Sequence, residues 1–434
     1  MKTHKILYIL LVLLISLFIL VAFSVKPVEK TVLTLAVFDT HPSYWESRIN
    51  HFNRRNANIH IELVSYYNEL NSTAHIEKFL LDVEAGNIPD IIYFRYVNPI
   101  YDTLAKDGIF EDLYYYLDND PELSREDFMP KALEAMEYQN QFIYAANCFR
   151  IETFMAKSNH VNSQLGLSLG DMYIALDNLG DNSYVFAKMK PNDILYEALH
   201  YNVFWDLEEL ICDFDSDEFI ELLQFIKTVP RASFENDKYY NEPLYIAATI
   251  ENMFEEDSLL LTKVSIPYIH HIGIYKLSYE TGINFVGFPN NNCFGGKLIL
   301  VDIFAMTATC NDKDAAWEYI KQTNLMYVDP SLTHEAATLT LSTNRHTFYD
   351  RLELNNKWHA FAYSGIYKYR YALTEEETDC LLEMIDTSSL IRIDVGLWTI
   401  ISTETELYFS GTRTAEETAA IIQRRAQEYL TNEY

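Results

Sequence analysis

The chain has little of what marks chemistry on a metal, a nucleotide or a nucleic acid. Its 434 residues include only five cysteines, Cys148, Cys212, Cys293, Cys310 and Cys380, widely scattered and with no CxxC pair. That spacing excludes a zinc-finger framework, and the odd count precludes full internal pairing. They read as small apolar residues for a core. There is no P-loop and no glycine-rich dinucleotide turn. Positive charge is scarce: 33 Lys and Arg stand against 63 Asp and Glu, a net charge of -30. Binding a phosphate backbone needs the opposite balance, so a nucleic-acid partner is excluded. The acidic residues are spread along the chain, as on a solvated exterior. No internal repeat and no low-complexity linker interrupts the sequence.

What is present is apolar and aromatic. Hydrophobic residues make up 49 %, with 32 tyrosines and 25 phenylalanines. That suffices for a sizeable core in two or three domain-sized units. At the N-terminus Lys2, His4 and Lys5 precede the uncharged run Ile6–Ser24. A basic flank before an apolar run is a secretory signal. Ala22-Phe23-Ser24 offers a small-residue cleavage site. The run is also about long enough to span a bilayer and stay as an anchor, with the chain beyond residue 30 outside. No cysteine lies at its end to take a lipid.

Beyond residue 30 strand and helix patterns alternate. Val32–Phe38 reads as a buried strand. Ser43–Arg54 has Trp45, Ile49 and Phe52 on one helical face. Ile59–Tyr67 alternates as a strand, and Thr73–Ala85 is a second helix with Ile76, Phe79, Leu80 and Val83 aligned. Gly86 suits a left-handed helix end, and Pro89 keeps the helix from restarting. Ile91-Ile92-Tyr93-Phe94 then forms an unbroken apolar run, as in a parallel strand covered on both faces. This β-α-β-α-β order predicts a parallel sheet with right-handed crossovers. Its loops 39–44, 66–68 and 95–98 gather at the carboxyl ends, where such sheets bind ligands. Gln141–Lys157 and Gly295–Ala308 are further strand regions. Helices are predicted at Leu169–Leu179, Asp217–Thr228, 312–324 and 411–430. Asn311 or Asp312 caps the third, and Thr414 with Glu417 forms a capping box on the last.

Enzyme-like matches are weak in their own context. GLSLG at 166–170 has the hydrolase-elbow spacing but follows the polar stretch VNSQL instead of a buried strand. Ser168 or Asp171 reads better as a helix start. His270-His271 lacks a third ligand at metal spacing. No local signature nominates a carboxylate pair for glycoside hydrolysis.

Four stretches in order resemble a known family. AGNIPDIIYF, QFIYAANCFRIETFMAKSNHV, GGKLILVDIFAMTATCNDKDAAWEYIKQ and TRTAEETAAIIQRRAQEYL are similar to segments of the extracellular solute-binding proteins of bacterial ABC transporters, the maltose-binding-like, carbohydrate-binding group. The second ends in Lys157-Ser158-Asn159, a departure from the family's Asn-Lys turn. The resemblance implies an α/β, two-lobed periplasmic-binding-protein-like fold with hinge strands and an interlobe cleft. It implies a first lobe of 31–147 plus 297–345 and a second of 148–296 plus 346–434. It also implies a monomeric, non-enzymatic receptor with no cofactor, a small-molecule sugar ligand and ABC permease subunits as partners. It would act outside the cell, secreted or anchored to the membrane's outer face. A sugar sensor and an extracellular glycosidase are the alternatives.

A sugar needs aromatic faces for its C–H surface and polar side chains for its hydroxyls. The candidates are Asp39, His41 and Tyr44 in the first loop, Tyr67 in the second, and Arg95 and Tyr96 in the third. Phe149 and Arg150 follow on the hinge-like strand, and Phe294 lies in the turn-rich 290–296 loop. Trp45 shares a face with Ile49 and Phe52 and reads as core.

Overall fold

A computed structural model describes residues 30–433 apart from 39–41, 68–73, 97–98, 163–164, 181, 208, 235–241, 280, 291–294, 328–338 and 358–371. The apolar run Ile6–Ser24 therefore lies outside the described residues. Among those described, no helix is long and apolar enough to cross a membrane. The backbone divides into two compact units.

The first unit contains the chain through Ile92 together with Thr309–Tyr319. Strand β1 (Thr31–Val37) leads to the helix Pro42–Arg55, β2 (Ile59–Ser65), the helix Ala74–Glu84 and the start of β3 (Ile91–Tyr96). β1 and β2 are parallel, from Thr31 opposite Ile59 to Val37 opposite Ser65. Trp45, Ile49 and Phe52 are buried on the first helix, as their spacing predicts. Phe38 stacks on Tyr66 at 5.3 Å and meets Phe79 edge-on at 5.1 Å. Gly86 ends its helix at φ 78°, a left-handed position that suits glycine. The Pro-Asp that follows has a physical role. Asp90 is buried, and its Oδ2 accepts from Thr34 N at 2.8 Å and Thr34 Oγ1 at 2.7 Å. Its Oδ1 accepts from Asn311 N at 3.1 Å. One buried side chain thus ties together β1, the entry to β3 and the returning segment.

The second unit contains Tyr93–Ala308 with Ile320–Tyr434. Its spine is β4 (Ala145–Lys157), which pairs antiparallel with β5 (Thr262–Ile266), β6 (Ile283–Phe285), β7 (Lys297–Met306) and β8 (Leu341–Ser342). The β7 register runs from Lys297 opposite Glu152 to Phe304 opposite Ala145. The expected lobe boundary at 147/148 falls inside β4, and that at 296/297 falls at the start of β7. The chain passes both points in paired, extended backbone. Helices Leu169–Leu179, Asp217–Thr228, Val395–Phe409 and Ala415–Glu433 surround the strands. Ser168 caps the first, accepting from Asp171 N at 3.1 Å, so GLSLG is a helix start. Leu195, Leu199, Phe214, Phe219, Leu223, Leu397, Ile401 and Ile422 belong to one buried cluster. Full burial of such side chains is worth about 1.5–3 kcal/mol each.

Candidate ligand site

The second unit holds a cavity of about 660 Å³, lined among others by Lys188, Asn192, Tyr196, Glu197, Lys263, Lys297 and Trp398. Local rules place these side chains. The helix Pro191–Leu199 begins with proline in its first turn, and Asp193 Oδ2 accepts from Lys190 N at 2.9 Å. Ile194, Leu195, Ala198 and Leu199 face the core, which leaves Asn192 and Tyr196, four apart, on the cavity side. Asp394 caps the helix Val395–Phe409, accepting from Leu397 N at 2.9 Å. Leu397 and Ile401 go inward while Trp398 stays half-buried beside them. Trp398 meets Tyr196 edge-on, 4.8 Å between ring centroids. Thr405 Oγ1 donates to Asn192 Oδ1 at 3.1 Å and fixes that amide.

Beside the aromatic pair runs a line of alternating charge. Glu197 is paired with Lys263 at 3.0 Å and Lys297 at 3.0 Å. Both lysines also reach Glu152, at 3.1 and 3.6 Å. Glu152 in turn accepts from Arg150 at 2.8 Å. Burial opposes ionisation of Glu197, but Lys297 and Lys263 outweigh it and hold the carboxyl below its usual range. The same balance, with Arg150 added, lowers Glu152. Burial tends to neutralise Lys263, and Glu197 and Glu152 outweigh that and raise its pKa. Burial, with Lys297 nearby, pushes His200 down to about 4. His200 touches Tyr196 edge-on at 5.1 Å, and its Nδ1 lies 2.9 Å from the Ile391 carbonyl. Among the described residues no group of His, Cys, Asp or Glu is placed to hold a metal ion.

The residues nominated from sequence divide into several places. Asp39, His41 and Phe294 lie outside the described residues. Tyr44 is exposed, and its hydroxyl accepts from Arg48 Nη1 at 2.9 Å. Tyr67 is half-buried just beyond β2. Arg95, Tyr96 and Arg150 come together: the two guanidinium groups lie 5.4 and 4.5 Å from the Tyr96 ring centroid. Phe149 is 1 % exposed, on β4 between Leu300 of β7 and Leu341 of β8, and has no face open to solvent. Arg150 reaches the cavity's lysines through Glu152, although none of the described candidates lines the cavity itself. Sequence reasoning missed Tyr196, Trp398 and the two lysines. Their spacing matches that of ordinary core positions, and no turn or motif marks them.

No family model matches the chain, and no curated sequence is similar to it. Solved structures are similar over nearly the whole length. The sugar-binding protein MalE of Xanthomonas citri shares 14 % identity at a TM-score of 0.60, covering 92 % of this chain and 98 % of its own. The cyclic alpha-maltosyl-1,6-maltose binding protein of Arthrobacter globiformis shares 13 % at 0.58, covering 93 % and 100 %. An ABC substrate-binding protein of Listeria monocytogenes, in complex with cycloalternan, shares 12 % at 0.56, covering 93 % and 100 %. The chain has the α/β fold of these two-lobed periplasmic-binding-type proteins.

Proposed function

We propose that the chain is a carbohydrate receptor that works outside the cytoplasm and passes its ligand to ABC permease subunits. The observation that carries the reading is the Tyr196–Trp398 pair on the wall of a cavity of about 660 Å³ whose largely apolar lining also includes Asn192, Glu197, Lys263 and Lys297. That volume falls in the range of small-molecule sites. Aromatic faces take the C–H surface of a sugar, while Asn192, Glu197 and the lysines offer partners for its hydroxyls. The similar structures include a sugar-binding protein, a cyclic alpha-maltosyl-1,6-maltose binding protein and an ABC substrate-binding protein in complex with cycloalternan, which agrees with that chemistry.

The mechanism is closure of two lobes, 31–147 with 297–345 and 148–296 with 346–434. On this reading β4 crosses the 147/148 boundary, β7 begins at the 296/297 boundary, and the two serve as hinge strands. Ligand shifts the population toward the closed form only by binding it better than the open one. The aromatic–guanidinium group of Arg95, Tyr96 and Arg150 sits beside this crossing on our reading, joined to the cavity by Glu152. Export uses the N-terminal apolar run. The acidic surface keeps nucleic acid away, and the receptor acts as a monomer. The site binds its sugar and leaves it uncut on this reading, which the lysines beside Glu152 and Glu197 support by favouring the ionised carboxylates over a general acid.

A thermal-shift screen of the full chain against oligosaccharides tests this. A ligand at a hundred times its Kd adds about 2.7 kcal/mol of stability, which reads as a raised Tm, and the sugar is recovered intact. A panel with no shift, or a sugar returned cleaved, overturns the reading.

A further inference from the structure

Lys157, Lys297, Lys321 and Arg351 are the buried lysines and arginines among the described residues. The three lysines each meet a carboxylate: Lys157 meets Asp257 at 2.8 Å, Lys297 meets Glu197 at 3.0 Å and Lys321 meets Glu122 at 2.9 Å. Arg351 does not. It is 5 % exposed on the helix Arg345–Lys357. Its Nη1 donates to the Thr340 carbonyl at 3.1 Å and to Thr340 Oγ1 at 2.7 Å, and both acceptors are neutral. Its Nε–H is buried and has no partner. Burial works against the guanidinium charge, and among the described residues Cys148 is the ionisable group that supports it. Burial pushes that thiol up to about 12, so it stays neutral. A lysine so placed could shed its proton, but an arginine keeps its charge.

One helical turn further on, Asn355 is 1 % exposed, and neither its Nδ2 nor its Oδ1 has a partner. Residues four apart share a helical face. One face of this helix therefore carries a cationic donor and an amide that are both buried and both unmet. Either lack is unfavourable by itself. Buried water would complete the hydrogen bonds, but no water balances the charge.

We propose that Arg351 and Asn355 bind a small monovalent anion of halide size. The ion accepts from the Arg351 Nε–H and an Asn355 amide N–H, and its single charge balances the one guanidinium. The Asn355 carbonyl oxygen is left for a water beside it. Burial of both side chains leaves no way in for a saccharide, and neither residue lines the cavity described above. The proposal is thus independent of the receptor reading. The ion fastens the helix Arg345–Lys357 beside Thr340, at the entry to β8. No covalent step is involved.

Thermal melts of the full chain in sodium chloride and in chloride-free sodium gluconate, matched in pH and ionic strength, test it. Gluconate is too large to enter. The wild type is expected to melt about 2 °C or more higher in chloride, by mass action on the folded state. Arg351→Met is expected to lose that difference. Crystals of the wild type soaked in bromide give a second measurement should Arg351→Met fail to fold, with an anomalous peak expected beside the Arg351 Nε. Equal melting in the two salts, or no bromide peak at Arg351, overturns the proposal and assigns the unmet atoms to water. A chloride effect that survives in a folded Arg351→Met puts the ion elsewhere and overturns it as well.

Discussion

At the residue scale the account rests on side chains that two helices aim at one space. Trp398 supplies the larger apolar face, edge-on to Tyr196 at 4.8 Å. Trp398→Ala should weaken saccharide binding at least tenfold, about 1.4 kcal/mol or more, in a calorimetric titration. An unchanged Kd would remove Trp398 from the site. His200 gives a pH prediction. Its folded pKa is lowered to about 4, by burial first and Lys297 second. A group depressed in this way stays neutral when folded while the unfolded chain takes up a proton below about 6.5. Stability should therefore fall as pH drops from about 6.5 toward 4, by about 1.4 kcal/mol per pH unit from this residue. His200→Gln should flatten that slope in urea melts; an equal slope would assign it to other groups. Some of this was legible in the sequence. The strand-end rule singled out Arg95 and Tyr96, and the structure sets Arg150 on the Tyr96 ring, but none of the three lines the cavity. Tyr196 and Trp398 stayed hidden, because on an amphipathic helix an aromatic beside the core stripe looks the same whether its outer face meets protein or an open cavity.

At the element scale, what local chemistry dictates was readable. The helices Leu169–Leu179 and Asp217–Thr228 have the ends expected from their caps and apolar spacing. The final helix starts where Thr414 and Glu417 exchange bonds of 3.1 and 3.2 Å. Thr414→Ala should cost about 1 kcal/mol, read as a lower urea midpoint with unchanged slope. No loss would mean that the cap is dispensable beside the buried Ala419, Ile422 and Ala426. Long-range partners were not readable. The helix expected over 312–324 ends at Ile320 and gives way to a wider turn, Lys321–Leu325. Lys321 is buried there against Asp120 at 3.0 Å and Glu122 at 2.9 Å. Asn324 Nδ2 donates to the carbonyls of Ala145 and Asp302. Partners far away in sequence, invisible to helical periodicity, set that geometry. The antiparallel strands around β4 belong to the same class: alternation predicts a strand but not its neighbour. Gly396 is another tertiary constraint. A Cβ there would run into the Tyr429 ring, so Gly396→Ala should separate the last two helices and destabilise by about 1–3 kcal/mol in urea melts.

At the scale of the whole molecule, the likeness to two-lobed binding proteins covers over nine-tenths of the chain at 12–14 % identity. Hydrophobic pattern and element order survive at such identity, while the residues that select a ligand need not. The fold was therefore legible from four weak segments in order, and the sugar was not. The proposed closure predicts a smaller radius of gyration by solution scattering when a saccharide saturates the chain, and an equal radius would argue for a rigid site. The most direct test of the central claim is a calorimetric titration of wild type and Trp398→Ala with the saccharide that most raises the Tm. We expect saturable one-to-one binding by the wild type and a Kd at least tenfold weaker in the variant, with the sugar recovered intact. Equal affinities, or no heat with any saccharide, would contradict the account.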